Sequence, residues 1–193
     1  MSYGGDAYID TQHRRLFVVD TDPDGAGPDL QGAPNYSGMT PIVVLRNPST
    51  SGQRAIIKEF LLHQQNTANG LVHVRAMIDR ADTYVTLSGV SRTAYSPNGQ
   101  VPITTVPAFE IYDEEPELEN VGFVDSTGAT SAPKSIGFRS FKVGDGDTLG
   151  VPIGGGGVVE PGQICAFYLW SVGGATYVTG RYQLRVIREI IPS

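Results

Sequence analysis

Apolar positions along this chain fall either at every second residue or in short unbroken runs, and both patterns predict strands. Val72, Val74, Ala76 and Ile78 alternate with His73, Arg75, Met77 and Asp79, a period of two held over eight residues. After a turn at Arg80–Asp82, Val85 and Leu87 alternate with Tyr84, Thr86 and Ser88, so these two segments are expected to pair as a hairpin. A last strand over about residues 177–190 turns Tyr182, Leu184 and Val186 inward and Arg181, Gln183 and Arg185 outward. Ile42-Val43-Val44-Leu45, closed by Asn47-Pro48, is a continuous apolar run of the kind found in strands covered on both faces.

Other segments are less regular. Across residues 54–65, Ile56, Ile57, Phe60 and Leu61 fit one face of a helix capped by Asn69-Gly70, whereas Ile56, Phe60 and Leu62 share one strand face interrupted by Lys58. The strand is preferred, because the neighbouring elements are all β. Residues 101–112, with two prolines among Ile103, Val106, Phe109 and Ile111, suggest an edge strand or extended loop. A change of phase between Ile136, Phe138 and Phe141, Val143 predicts a bulge near Arg139-Ser140. Glu160-Pro161-Gly162 has turn chemistry, with proline pre-set for the second position and glycine able to take positive φ. It leads into Ile164–Trp170, which is apolar on both parities: Ile164, Ala166, Tyr168 and Trp170 on one, Cys165, Phe167 and Leu169 on the other. Apolar character on both faces implies a covered second face or a subunit interface, so Cys165, Phe167, Leu169, Tyr168 and Trp170 are candidate oligomer-interface residues.

The tally is eight or nine strands without a secure helix, which predicts an all-β domain, a jelly roll or β-sandwich, over residues 41–193. Residues 1–40 differ. They hold one short apolar run, Leu16-Phe17-Val18-Val19, among glycines and prolines, and are expected to form an extended N-terminal arm. An arm with so few anchors cannot offset the entropy of ordering its own backbone, so it is expected to gain order on a partner. Leu16, Phe17, Val18 and Val19 are the candidate attachment residues, adding a strand to an exposed sheet edge. The rival expectation is a first strand that completes this domain's own sheet.

Charge narrows the partners. With 14 Lys and Arg against 20 Asp and Glu the formal charge is −6, without the basic footprint of a nucleic-acid binder. A single cysteine cannot form an intrachain disulfide, the start MSYGGDAYID lacks the marks of a signal peptide, and no apolar run approaches the ~20 residues needed to span a bilayer. A protein made in a cytoplasm and not exported through a membrane, without membrane contact, is expected.

Candidate chemistry is thin. Asp20, Asp22 and Asp24, followed by Gly25, could converge on calcium, although the loop lacks the glutamate of an EF-hand, and a solvated acidic turn is the plainer reading. Asp113, Glu114, Glu115, Glu117 and Glu119, interrupted by Pro116, read as a solvated loop rather than the paired carboxylates of a glycosidase. Gly144-Asp145-Gly146-Asp147 and Gly154–Gly157 lack the lysine and following helix of a phosphate loop. His13, His63 and His73 are too scattered for a metal set, and Cys165 between Ile164 and Ala166 is expected to be a buried, inert thiol. No catalytic residue and no cofactor other than calcium is expected.

Two segments carry a resemblance. Ile42-Val43-Val44-Leu45-Arg46-Asn47-Pro48-Ser49-Thr50-Ser51-Gly52, leading into Ala55-Ile56-Ile57, resembles a pattern of tailed-bacteriophage virion proteins, in which an apolar strand ends in Asn-Pro and a Ser/Gly turn leads to the next strand. Val158-Val159-Glu160-Pro161-Gly162-Gln163-Ile164 is similar to the Pro-Gly turn before a late strand in the jelly-roll head-decoration and fibre proteins of that group. The resemblance spans residues 41–190 in layout. It implies a structural virion subunit, a decoration or cement protein on the major capsid protein, forming a homotrimer and located on the capsid surface. A receptor-binding or fibre-tip module with the same fold is the second expectation, and a calcium-dependent carbohydrate-binding module the third.

Overall fold

The computed structural model describes residues 16–20, 30–31, 40–64, 71–86, 88–95, 108–119, 123–124, 130–131, 134–141, 148–151, 153, 157–172 and 179–191. Among these the chain is all β. The strands are β1 (Leu16–Asp20), β2 (Leu30–Gln31), β3 (Val43–Asn47), β4 (Gln53–Gln64), β5 (Leu71–Asp79), β6 (Val90–Arg92) and β7 (Glu110–Asp113). They continue with β8 (Phe123–Val124), β9 (Thr130–Ser131), β10 (Lys134–Phe141), β11 (Thr148–Val151), β12 (Val158–Val159), β13 (Gln163–Val172) and β14 (Thr179–Ile190). Very short strands bring the number above the eight or nine expected from the periodicity.

Two antiparallel sheets form a β-sandwich. The first runs β1-β14-β4-β11, with β12 also pairing with β4 and β2 with β14. The second runs β10-β5-β13-β3-β7-β6, while β8 and β9 pair with each other. Alternation decides what each strand contributes to the space between the sheets. Val72, Val74, Ala76 and Ile78 of β5 and Tyr182, Leu184 and Val186 of β14 enter the core, as their spacing predicts. Phe60 of β4 lies against Phe167 of β13, ring centroids 4.5 Å apart, and against Tyr182 at 5.8 Å, so one stack of rings joins the two sheets. Such aromatic pairs contribute about 0.5–1.5 kcal/mol each beyond the area they bury.

Residues 54–65 fall in strand β4, which ends at Gln64, with one departure from the expected face. The ladder between β14 and β4 shifts register between Arg185 and Val186, opposite Lys58. Ala55 and Ile57 therefore join Phe60 and Leu62 in the core, and Ile56 lies on the opposite face.

Three further expectations are corrected. The segment around Tyr84 does not form a hairpin with β5, whose two neighbours are β10 and β13. It folds across the outer face of the second sheet, where Tyr84 bridges to Leu118. The bulge in β10 lies between Ser135 and Gly137, not at Arg139-Ser140. Leu16, Phe17, Val18 and Val19, expected to attach to a partner, are buried and pair with Ile187, Val186, Arg185 and Leu184. Their side chains are buried and one edge of their backbone is paired within this chain, so Leu16–Asp20 belongs to the sandwich and not to a separate arm. Most of the remainder of residues 1–40 lies outside the described residues.

At one corner the chain crosses between the sheets twice, from β3 to β4 and from β12 to β13, and a single side chain binds both crossings. Asn47 is fully buried, and its Nδ2 donates to the carbonyls of Gln53 (2.8 Å) and Val159 (2.9 Å). The backbone carbonyl of Asn47 accepts from the amide of Gly162 at 2.7 Å. Gly162 has φ of +81°, the left-handed conformation that glycine adopts without steric cost after Pro161 in a turn closed by the Gln163 amide on the Glu160 carbonyl. Replacing Asn47 with alanine removes the donor from two carbonyls and should destabilise the fold by about 1–3 kcal/mol. The urea midpoint reports it, and an unchanged midpoint would show that the corner does not depend on Asn47.

Candidate functional site

The most unusual grouping of charged side chains lies inside the sandwich. Asp113 ends β7 on the same parity as Phe109 and Ile111, which places its carboxylate in the core with no solvent exposure. Arg92 of β6 donates from Nε to both carboxylate oxygens at 2.8 Å, and the Tyr182 hydroxyl donates to Oδ2 at 3.0 Å. Arg92 and Asp113 belong to the second sheet and Tyr182 to the first, so the carboxylate is a polar rivet across the sandwich. Arg92 also reaches Glu114. Burial pushes Asp113 above the usual carboxylate range, against the opposing pull of Arg92 and Tyr182. Burial likewise holds the Tyr182 phenol well above its ordinary value, and the adjacent Asp113 adds to the shift.

This trio has the residue types of an acid–base site but not its access. A general base needs a substrate proton within hydrogen-bond reach. Asp113 and Tyr182 are enclosed by core side chains and already paired with each other. Their chemistry is mutual satisfaction of buried polar groups. Treating the whole run from Asp113 to Glu119 as solvated therefore misplaced its first residue, although Glu115, Glu117 and Glu119 are exposed. The signal was present in the alternation Phe109, Ile111, Asp113, which carries the carboxylate onto the core face.

Of the calcium candidates, Asp20 alone lies among the described residues. Asp20, at the end of β1, accepts from Gln183 Nε2 at 3.3 Å, while Asp22 and Asp24 lie outside the described residues. Asp20 borders an open groove of about 280 Å³, lined also by Leu61, His63, Arg181, Tyr182 and Gln183. No group of three or more His, Cys, Asp or Glu able to hold a metal occurs among the described residues.

The candidate interface residues of β13 resolve into two sets. Cys165, Phe167 and Leu169 are buried between the sheets. Tyr168 is buried on the opposite face with Ile164, Ala166, Met77 and Val44, under Tyr84 and Leu118. Four of the five are therefore covered by this chain itself and cannot form an interface between subunits, which corrects that expectation. Trp170 is the exception. It is half-buried, with the His73 ring stacked at 5.1 Å and the Arg75 guanidinium 5.7 Å from its ring centre. The His73–Trp170–Arg75 grouping joins β5 to β13 across the outer face, and the sequence, in which His73 was weighed as a metal ligand, did not bring it out. Among the described residues, no helix is long and apolar enough to cross a membrane.

Comparison with protein-family models, with curated proteins and with solved structures found no match.

Two measurements check this account. Tyr182→Phe removes one donor from a buried carboxylate and should cost about 1.5–3 kcal/mol, read from the urea midpoint; an unshifted midpoint would mean that the hydroxyl does not tie the sheets. Burial also pushes the Cys165 thiol far up. A thiol-specific reagent at pH 8 should leave native protein unmodified and react with one thiol per chain in denaturing urea, whereas rapid labelling of native protein would contradict its enclosure.

Proposed function

We propose that this chain is a structural virion subunit of jelly-roll type, a capsid decoration or cement protein that binds the major capsid protein of a tailed phage. The observation supporting this reading is the corner at Asn47. The two segments that carry the sequence resemblance lie more than a hundred residues apart in the chain, yet they meet there and are hydrogen-bonded to one another through Asn47, Val159 and Gly162. They form one structural unit, so their joint occurrence has a physical basis that two unrelated turn motifs would lack. The polar cluster of the core is consistent with a passive scaffold, since Asp113, Arg92 and Tyr182 hold the sheets together.

The homotrimer rests on the resemblance, because four of the five side chains that suggested an interface are internal. Attachment to the capsid would use surfaces other than the apolar run of β1, which is engaged with β14. A second reading, a receptor-binding or fibre-tip module of the same fold, is favoured by the half-buried Trp170 beside His73 and Arg75, an aromatic and cationic platform on an outer sheet face.

The test is to mix the purified chain with phage heads lacking it and to sediment the particles. Saturable recovery with the heads is expected, together with greater resistance of the particles to heat. A chain that stays in the supernatant at every ratio would remove the decoration reading. Trp170→Ala should leave head binding unchanged; if it instead abolishes adsorption of intact phage to cells, the receptor-binding reading replaces the first.

A further inference from the structure

Part of the outer face of the second sheet is covered by two short segments, residues 80–86 with 88–89 and residues 114–119, joined to one another. Their backbone hydrogen bonds run between the two halves: the Val85 amide donates to the Glu117 carbonyl at 2.9 Å and the Glu119 amide to the Thr83 carbonyl at 2.8 Å. The Glu117 amide donates to Ser88 Oγ at 2.9 Å, and Tyr84 bridges to Leu118. Beneath this ribbon, Tyr84 and Leu118 press on Val44, Met77, Ile164, Ala166 and Tyr168, a cluster separate from the core between the sheets. The strands below it keep their own ladders, so lifting the ribbon need not break a sheet.

The ribbon meets the sheet through strained backbone and charged clasps. Glu114 and Glu115 are consecutive non-glycine residues with φ of +54° and +66°, a conformation that L side chains adopt at a steric cost. Gly89, at the other junction, has φ of +68°, and a Cβ there would lie 2.5 Å from the Asp113 carbonyl oxygen. Arg46 of β3 holds Asp82 of the ribbon at 2.6 Å and Glu110 of β7 at 3.1 Å, and Arg92 grips Glu114 as well as Asp113.

We infer that residues 80–86, 88–89 and 114–119 form a hinged flap that opens as a unit, its closed state held by the Arg46–Asp82 and Arg92–Glu114 clasps against strain stored at Glu114 and Glu115. Opening uncovers the apolar strip of Val44, Met77, Ile164, Ala166 and Tyr168 while the sandwich stays folded. Local opening of this kind proceeds in contiguous cooperative units at a free energy below that of global unfolding.

Native-state hydrogen exchange followed by NMR on the full chain tests this. The amides of Val85, Glu117 and Glu119 should exchange with one shared opening equilibrium, at least about tenfold more open than that of β4 and β14 amides. Two substitutions should move the flap in opposite directions. Asp82→Ala removes a clasp and should raise flap opening about fivefold. Glu115→Gly replaces an exposed side chain, relieves the left-handed strain and should lower flap opening about fivefold. Exchange of β4 and β14 should be unchanged in both variants. Flap amides that exchange at the rate of the core, or that respond separately from one another, would overturn the flap. So would variants that shift flap and core amides together.

Discussion

A carboxylate with no access to water must be compensated where it stands, and that requirement at Asp113 fixes much of how the two sheets meet. An unpaired buried charge costs several kcal/mol, far more than a typical side-chain contact contributes. Arg92 must approach from β6 with both carboxylate oxygens in reach of Nε, and Tyr182 from β14 with its hydroxyl toward Oδ2. Apolar side chains between two sheets tolerate small sliding motions. The three-way polar contact does not, since a displacement of an ångström or so would leave one member unpaired. The Phe60 stack supplies attraction between the sheets, and Asp113 supplies their alignment.

The same economy governs the Asn47 corner. Chain crossings between sheets leave backbone carbonyls without ladder partners, and a buried carbonyl needs a donor. One carboxamide serves two of them at once. Asp113 and Asn47 are both polar residues at the ends of strands, buried where the regular ladder stops. In each case a side chain completes hydrogen bonding that the β pattern cannot.

The strands were legible because period two is a local property. The inward set of β14, the inward set of β5 and the two-sided coverage of β3 follow directly from the alternation. What the sequence left open depends on neighbours distant in the chain. Tyr84 lies close to β5 in sequence, and a hairpin was the economical reading, yet its partner is Leu118. Leu16–Val19 read equally as an arm or as a strand, because their partner lies about 170 residues further along. The phase error at Ile56 came from a bulge, whose extra residue leaves no mark in composition. The two-sided apolar run of β13 permitted a subunit interface until the ribbon above Tyr168 was seen to cover it. Of the site, Asp113 was readable from parity and overlooked because charge was given more weight than position.

Strand order also bears on how the fold is reached. Every pairing in the first sheet involves β4 or β14, and these two strands pair with each other although about 120 residues separate them. During synthesis β1 and β4 leave the ribosome long before β14, so this sheet has no centre until that strand emerges. Contacts so remote in sequence slow folding, and the waiting strands carry apolar side chains such as Phe17, Phe60 and Leu62 with no sheet yet to cover them. The nascent chain is thus a natural client for chaperones, and crowded expression would favour aggregation over the native sandwich.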